Sequence, residues 1–139
     1  MRNRETRTES GEIMKTNGKK VVLYIEDDPD YREAIRAMVE AGGYTVVEAC
    51  SAEEGLKRYK ETHPDLVIVD LMMEEVDAGF GFVKEMRALE QDLPVFLLSS
   101  VGESLLMNKD YRDLGLSSVL QKPVSSETLL SMIRSRLAS

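Results

Sequence analysis

The sequence predicts an α/β fold: a doubly wound sheet of five parallel strands covered by helices on both faces. Three observations predict it. Five short apolar runs, VVLYI (21–25), TVVEA (45–49), LVIVD (66–70), VFLL (95–98) and SVL (118–120), recur along the chain. Most are apolar at nearly every position, as in strands buried on both faces. The segments between them carry helix punctuation and are long enough for right-handed crossovers.

Each helix has its own warrant. The first is expected over about 29–41, with Asp28 as N-cap, Pro29 as the first helical residue, and Gly42 and Gly43 as the stop. Tyr31, Ile35, Met38 and Val39 then share one face. The second opens at the capping box Ser51 to Glu54 in SAEE and ends before HPDL, where Pro64 biases His63 away from helix. The third is expected from about Phe80 to Glu90, and the fourth over about 103–113, ending near Gly115. The last follows Pro123, with Leu129, Ile133 and Leu137 spaced by four and facing the sheet. Residues 1–19 show few apolar residues and neither period, which predicts a disordered, solvated tail ahead of a single domain over 20–139.

Composition narrows the function classes. The length of 139 residues suits one ordinary domain. No apolar stretch approaches the roughly 20 residues of a membrane span, and no secretory signal follows the basic N-terminus, so a cytoplasmic protein without membrane insertion is expected. Cys50, the single cysteine, excludes an internal disulfide framework. The net charge of −7 divides into a basic first 20 residues and an acidic remainder, and an acidic body repels phosphate backbones. Direct nucleic-acid binding is not expected.

In doubly wound sheets, ligands bind beyond the carboxyl ends of the strands, where strand order reverses. Here those ends carry Glu26 and Asp27, then Asp70, then Ser99 and Ser100, then Lys122 and Pro123. Ser99 alone could cap a helix, and Lys122 alone would be an ordinary surface residue; the joint occurrence marks them. Clustered carboxylates repel strongly in a partly dry site unless a cation intervenes. Oxygen-only ligands favour Mg²⁺ over Zn²⁺. Asp28 and Asp30 are better explained as helix-start residues complementing the macrodipole than as ligands.

The stretches VLYIEDDPDYRE, PDLVIVDLMM, PVFLLSS and LQKPV resemble, in order and spacing, the motifs of the response-regulator receiver family of two-component signalling, over about residues 20–138. The resemblance implies a flavodoxin-like (βα)5 fold with strand order 2-1-3-4-5. It implies that Asp70 takes a phosphoryl group from a sensor histidine kinase or a histidine phosphotransfer protein. Asp27 and Asp70 would bind Mg²⁺ directly, Glu26 through water and Met72 through its backbone carbonyl. Ser99 would be the switch hydroxyl and Lys122 the ammonium that pairs with the phosphoryl group. The output face would be the fourth helix, fifth strand and fifth helix, read by a downstream protein. Because the last helix ends at the C-terminus, a stand-alone receiver of the chemotaxis-regulator kind is expected, with no output domain.

The sequence also departs from the family pattern. Val119 occupies the position, three before the lysine, where receivers commonly place Tyr or Phe. Glu74 replaces a usual proline, and DAGFGF is one residue longer than the common form, so the loop after Asp70 is expected to be rearranged. Gly79 and Gly81 permit positive φ there, and either Phe80 or Phe82 fills the buried face of the third helix. Met72 and Val101, two residues after Asp70 and Ser99, cannot position an attacking water, which predicts a long-lived phosphoryl group. Two other classes compete. A haloacid-dehalogenase-like phosphatase would need an Asp at Met72, so a turnover enzyme is not expected. A pseudo-receiver binding module would share the fold but not the phosphorylation.

Overall fold

The computed structural model describes residues 5–7, 13–15, 18–70, 76–99 and 118–137. Its elements are β1 (Glu5–Arg7), β2 (Ile13–Lys15), β3 (Val21–Ile25), α1 (Pro29–Ala41), β4 (Thr45–Ala49), α2 (Ala52–Thr62), β5 (Leu66–Asp70), α3 (Val76–Leu89), β6 (Val95–Ser99), β7 (Ser118–Gln121) and α4 (Ser126–Leu137). Five strands form one parallel sheet in the order β4-β3-β5-β6-β7. Numbered among themselves they run 2-1-3-4-5, the flavodoxin-like order the motifs imply. Strand order reverses at β3, so its carboxyl end opens onto the crevice.

The two faces of the sheet hold two cores. Val21, Leu23 and Ile25 of β3 pack with Val67, Val69, Val95 and Leu97 beneath Tyr59 of α2 and Phe82, Val83 and Met86 of α3. The alternate residues, Val22 and Tyr24, join Ile68, Phe96 and Leu98 against Ile35 and Val39 of α1 and Leu129 and Ile133 of α4. Burial on both sides explains why the strands read as continuous apolar runs. Leu137, the last of the expected stripe, is half-buried at its end.

Local chemistry sets the helix ends. Asp28 caps α1, its Oδ1 accepting from the N–H of Asp30 at 2.9 Å and of Tyr31 at 3.3 Å, while Gly43 turns the chain out at φ 95°. Ser51 caps α2 by accepting from Glu54 N at 3.1 Å, and Glu54 reaches back to the N–H of Cys50 at 2.8 Å, one residue earlier than in the standard box. His63, released from helix by Pro64, takes a left-handed φ of 48° and ends α2. Ser125 caps α4 through Thr128 N at 3.1 Å.

Several elements differ from the sequence reading. Helix α3 begins at Val76 rather than near Phe80, and Gly79 and Gly81 lie inside it instead of in a loop at positive φ. Its spacing of Phe82, Val83 and Met86 makes a face that the sheet buries, and packing outweighs the poor helix propensity of glycine. Of the two phenylalanines in question, Phe82 is buried. Strand β6 extends one residue to include Ser99. Where residues 1–19 were expected to lack regular structure, β1 and β2 pair antiparallel, Thr6 opposite Met14. The fourth expected helix, Met72, Glu74, Ser100 and Val101 lie outside the described residues.

Candidate functional site

Register gathers the predicted residues at one edge. Ile25 of β3 lies opposite Val69 of β5, Asp70 opposite Leu98 of β6, and Ser99 opposite Gln121 of β7. Glu26 and Asp27 therefore emerge beside Asp70, with Ser99 and Lys122 farther along the same edge. The Lys122 N–H donates to the Ser99 carbonyl at 2.8 Å, which ties the ends of β6 and β7 together. The Lys122–Pro123 peptide is cis.

Carboxylate oxygens of Glu26, Asp27 and Asp70 lie within 4.8 Å of one another. Glu26 and Asp70 are buried, and Asp27 is half-buried. The Lys122 ammonium sits 2.8 Å from Asp70 Oδ1 and 3.5 Å from Glu26 Oε1, and stacks 4.5 Å from the centre of the Tyr31 ring. Ser99 is fully buried.

One ammonium does not balance three carboxylates. Burial first, then the hydrogen bond with Asp70 and its charge, push the Glu26 carboxyl up to about 8, against the opposing pull of Lys122 and Tyr24. A hydrogen bond between two carboxyl groups needs a shared proton, so without a cation Glu26 carries one near neutrality. A hard divalent ion would supply the missing positive charge. An all-oxygen donor set with one half-exposed member fits Mg²⁺ and leaves room for its waters.

Asp28 and Asp30 stand outside this cluster: Asp28 is the N-cap of α1 and Asp30 lies in its first turn. His63 caps α2 ahead of β5, at the opposite edge of the sheet. Met72, the predicted backbone ligand, falls outside the described residues.

Three residues at the site were not singled out in the sequence. Tyr24 donates its hydroxyl to Glu26 Oε1 at 3.0 Å. Tyr31, read only as part of an apolar helix face, lies against Lys122. Arg32 donates from Nη1 to the Glu26 carbonyl at 2.8 Å and pairs with Glu48 through Nε at 3.3 Å, bracing the β3–α1 turn. The available signal for Tyr24 was its place two residues before Glu26, on the same face of a strand otherwise made of aliphatic residues. No comparable signal marks Tyr31, because its partner Lys122 is distant in sequence and joins it only through the fold.

Comparison with known proteins places the chain. Residues 22–134 match the model of the response regulator receiver domain. A protein of Porphyridium aerugineum named "Probable transcriptional regulator ycf27" is 34% identical over 86% of this chain and 48% of its own length. Transcriptional regulatory protein AfsQ1 of Streptomyces coelicolor is 33% identical over 84% of this chain and 50% of its own. The chain thus spans about half the length of these curated relatives. Among solved structures, chemotaxis protein CheY4 of Vibrio cholerae superposes with a TM-score of 0.74 at 26% identity, covering 86% of this chain and 100% of that one. A receiver domain protein from Clostridium thermocellum gives 0.77 at 25% identity, covering 85% and 94%. No helix among the described residues is long and apolar enough to cross a membrane. Matched over most of its length in sequence and in backbone, the chain belongs to the response regulator receiver domain family of two-component signalling.

Proposed function

We propose that this chain is a phosphorylation-dependent switch that accepts a phosphoryl group on Asp70 from the phosphohistidine of a sensor kinase or a histidine phosphotransfer protein. The observation that carries the reading is the Lys122 ammonium 2.8 Å from a buried Asp70 carboxylate that shares its site with Glu26 and Asp27. In the transfer, Asp70 attacks phosphorus, the N–P bond of the donor breaks as an O–P bond forms, and the imidazole leaves with its electron pair. Such a transfer needs positioning and charge neutralisation more than it needs proton transfer. Lys122 pairs with the incoming phosphoryl oxygens, and Ser99 donates its hydroxyl to one of them. Asp27 and Asp70 would hold Mg²⁺ directly, Glu26 through water and Met72 through its carbonyl. The bound ion supplies positive charge to the phosphoryl oxygens.

Phosphorylation replaces one carboxylate charge by a group of about −2 with strong acceptor oxygens. Ser99 and Lys122 then gain a reason to reorient, and the surface seen by a partner protein shifts between two populations. Incubation with acetyl phosphate and Mg²⁺, followed by intact-mass analysis, tests the reading. The native chain gains one phosphoryl group and Asp70→Asn gains none. Absence of an adduct on the native chain would instead assign a binding module with the receiver fold and no phosphorylation.

A further inference from the structure

Strand β3 is the innermost route to the site, and all five of its residues are fully buried. Four of them are aliphatic. Tyr24 alone brings a polar group, and a buried hydroxyl is costly unless it finds a partner. That partner is Glu26 Oε1 at 3.0 Å, on the same strand face. An aliphatic residue would fill the strand without this requirement, so the hydroxyl is tied to the carboxylate rather than to packing.

Glu26 needs such an anchor. Its flexible side chain must place the carboxyl group beside Asp27 and Asp70, and apart from the hydrogen bond with Asp70 itself its other contacts are longer than the one from Tyr24. Lys122 is 3.5 Å from Oε1 but engages Asp70 at 2.8 Å, and the Asp28 N–H reaches Oε2 at 3.3 Å. We propose that Tyr24 is a positioning residue for the metal site: by donating to Glu26 Oε1, it fixes the carboxylate where a water on a divalent cation can be received. The inference rests on the reading of Glu26 as an outer ligand in the proposed function. Partners that orient a ligand touching the ion commonly control affinity by about 10- to 100-fold, and Tyr24, acting on a ligand that works through water, belongs at the low end of that range.

Calorimetric titration of Mg²⁺ into the native protein, Tyr24→Phe, Glu26→Ala and the double variant tests this. Tyr24→Phe, which keeps the ring, weakens Mg²⁺ binding about tenfold, and the loss disappears in the Glu26→Ala background. Native affinity in Tyr24→Phe overturns the proposal, as does an equal loss with and without Glu26, which would mark a general structural effect. If Tyr24→Phe fails to fold, infrared difference spectra of the ring-labelled native protein decide. The phenolic C–O band must shift on addition of Mg²⁺, because the carboxylate that accepts the Tyr24 hydroxyl at 3.0 Å comes under the charge of the ion, and an unmoved band overturns the assignment. A native protein that binds no Mg²⁺ at all removes the metal reading itself, an outcome distinct from native binding that is indifferent to Tyr24.

Discussion

Burial and the neighbouring Asp70 hold the Glu26 carboxyl up at about 8, and the consequence for stability has a definite sign. The folded protein keeps this proton to higher pH than the unfolded chain, whose glutamate titrates at its ordinary 4.5. Stability from this group is therefore complete below about pH 4.5 and is lost as pH rises through about 8, by on the order of a few kcal/mol in the metal-free protein. Mg²⁺ competes with that proton, so its apparent affinity rises across the same window and levels off above it. Calorimetry in buffers of different ionisation enthalpy would show proton release on Mg²⁺ binding below about pH 8 and little above it; a flat affinity profile would contradict the shared proton. Lys122 acts in the opposite sense. Its ammonium already occupies Asp70, so Lys122→Met should tighten Mg²⁺ binding while removing the group that pairs with the phosphoryl oxygens. Weaker binding in that variant, with its fold intact, would show that Lys122 supports the metal site rather than competing at it.

Two glycines at the element scale look alike in sequence and differ in surroundings. A Cβ on Gly55 of α2 would lie 2.7 Å from Ile25 Cδ1 and 2.8 Å from its Cγ1, with Phe82 Cε1 at 3.2 Å. Ile25 is fully buried and has little room to yield. Overpacking of this kind costs about 1–3 kcal/mol, against the roughly 1 kcal/mol that alanine gains in a helix, so Gly55→Ala should destabilise by about 1 kcal/mol. A Cβ on Gly81 of α3 meets nothing within 4 Å. Gly81→Ala should stabilise by about 0.5–1 kcal/mol, and urea unfolding of the two variants should move the midpoints in opposite directions. The same pair shows where sequence reading stopped. Caps and stops such as Asp28, Ser51 and Gly43 act on adjacent residues, so α1 and α2 could be placed closely. The start of α3 depends on tertiary burial of Phe82, Val83 and Met86, which overrides the glycines that argued for a loop.

Across the whole molecule, the same logic decides which parts of the site were legible. Glu26, Asp27, Asp70 and Lys122 were accessible because each lies at the carboxyl end of its strand or within two residues beyond it, and parallel topology brings strand ends to one edge. Tyr31 was not, since its contact with Lys122 depends on how α1 packs over the sheet. The acidic cluster also ties the stability of the domain to its ion. In the metal-free fold the carboxyl groups of Glu26, Asp27 and Asp70, with oxygens within 4.8 Å of one another, stay together at the cost of repulsion or of a proton held on Glu26, whereas the unfolded chain disperses them. A cation that binds the folded state alone stabilises it by RT ln(1 + [L]/Kd), about 2.7 kcal/mol at a hundredfold excess over Kd. For a domain of this size that corresponds to a rise of roughly 10 °C in Tm. Calorimetric melting should therefore show Tm climbing with the logarithm of Mg²⁺ concentration once the site fills. Asp27→Ala should melt independently of Mg²⁺ over the same range, and at matched ionic strength a similar rise in that variant would trace the effect to general screening of the acidic body instead of to the strand-end carboxylates.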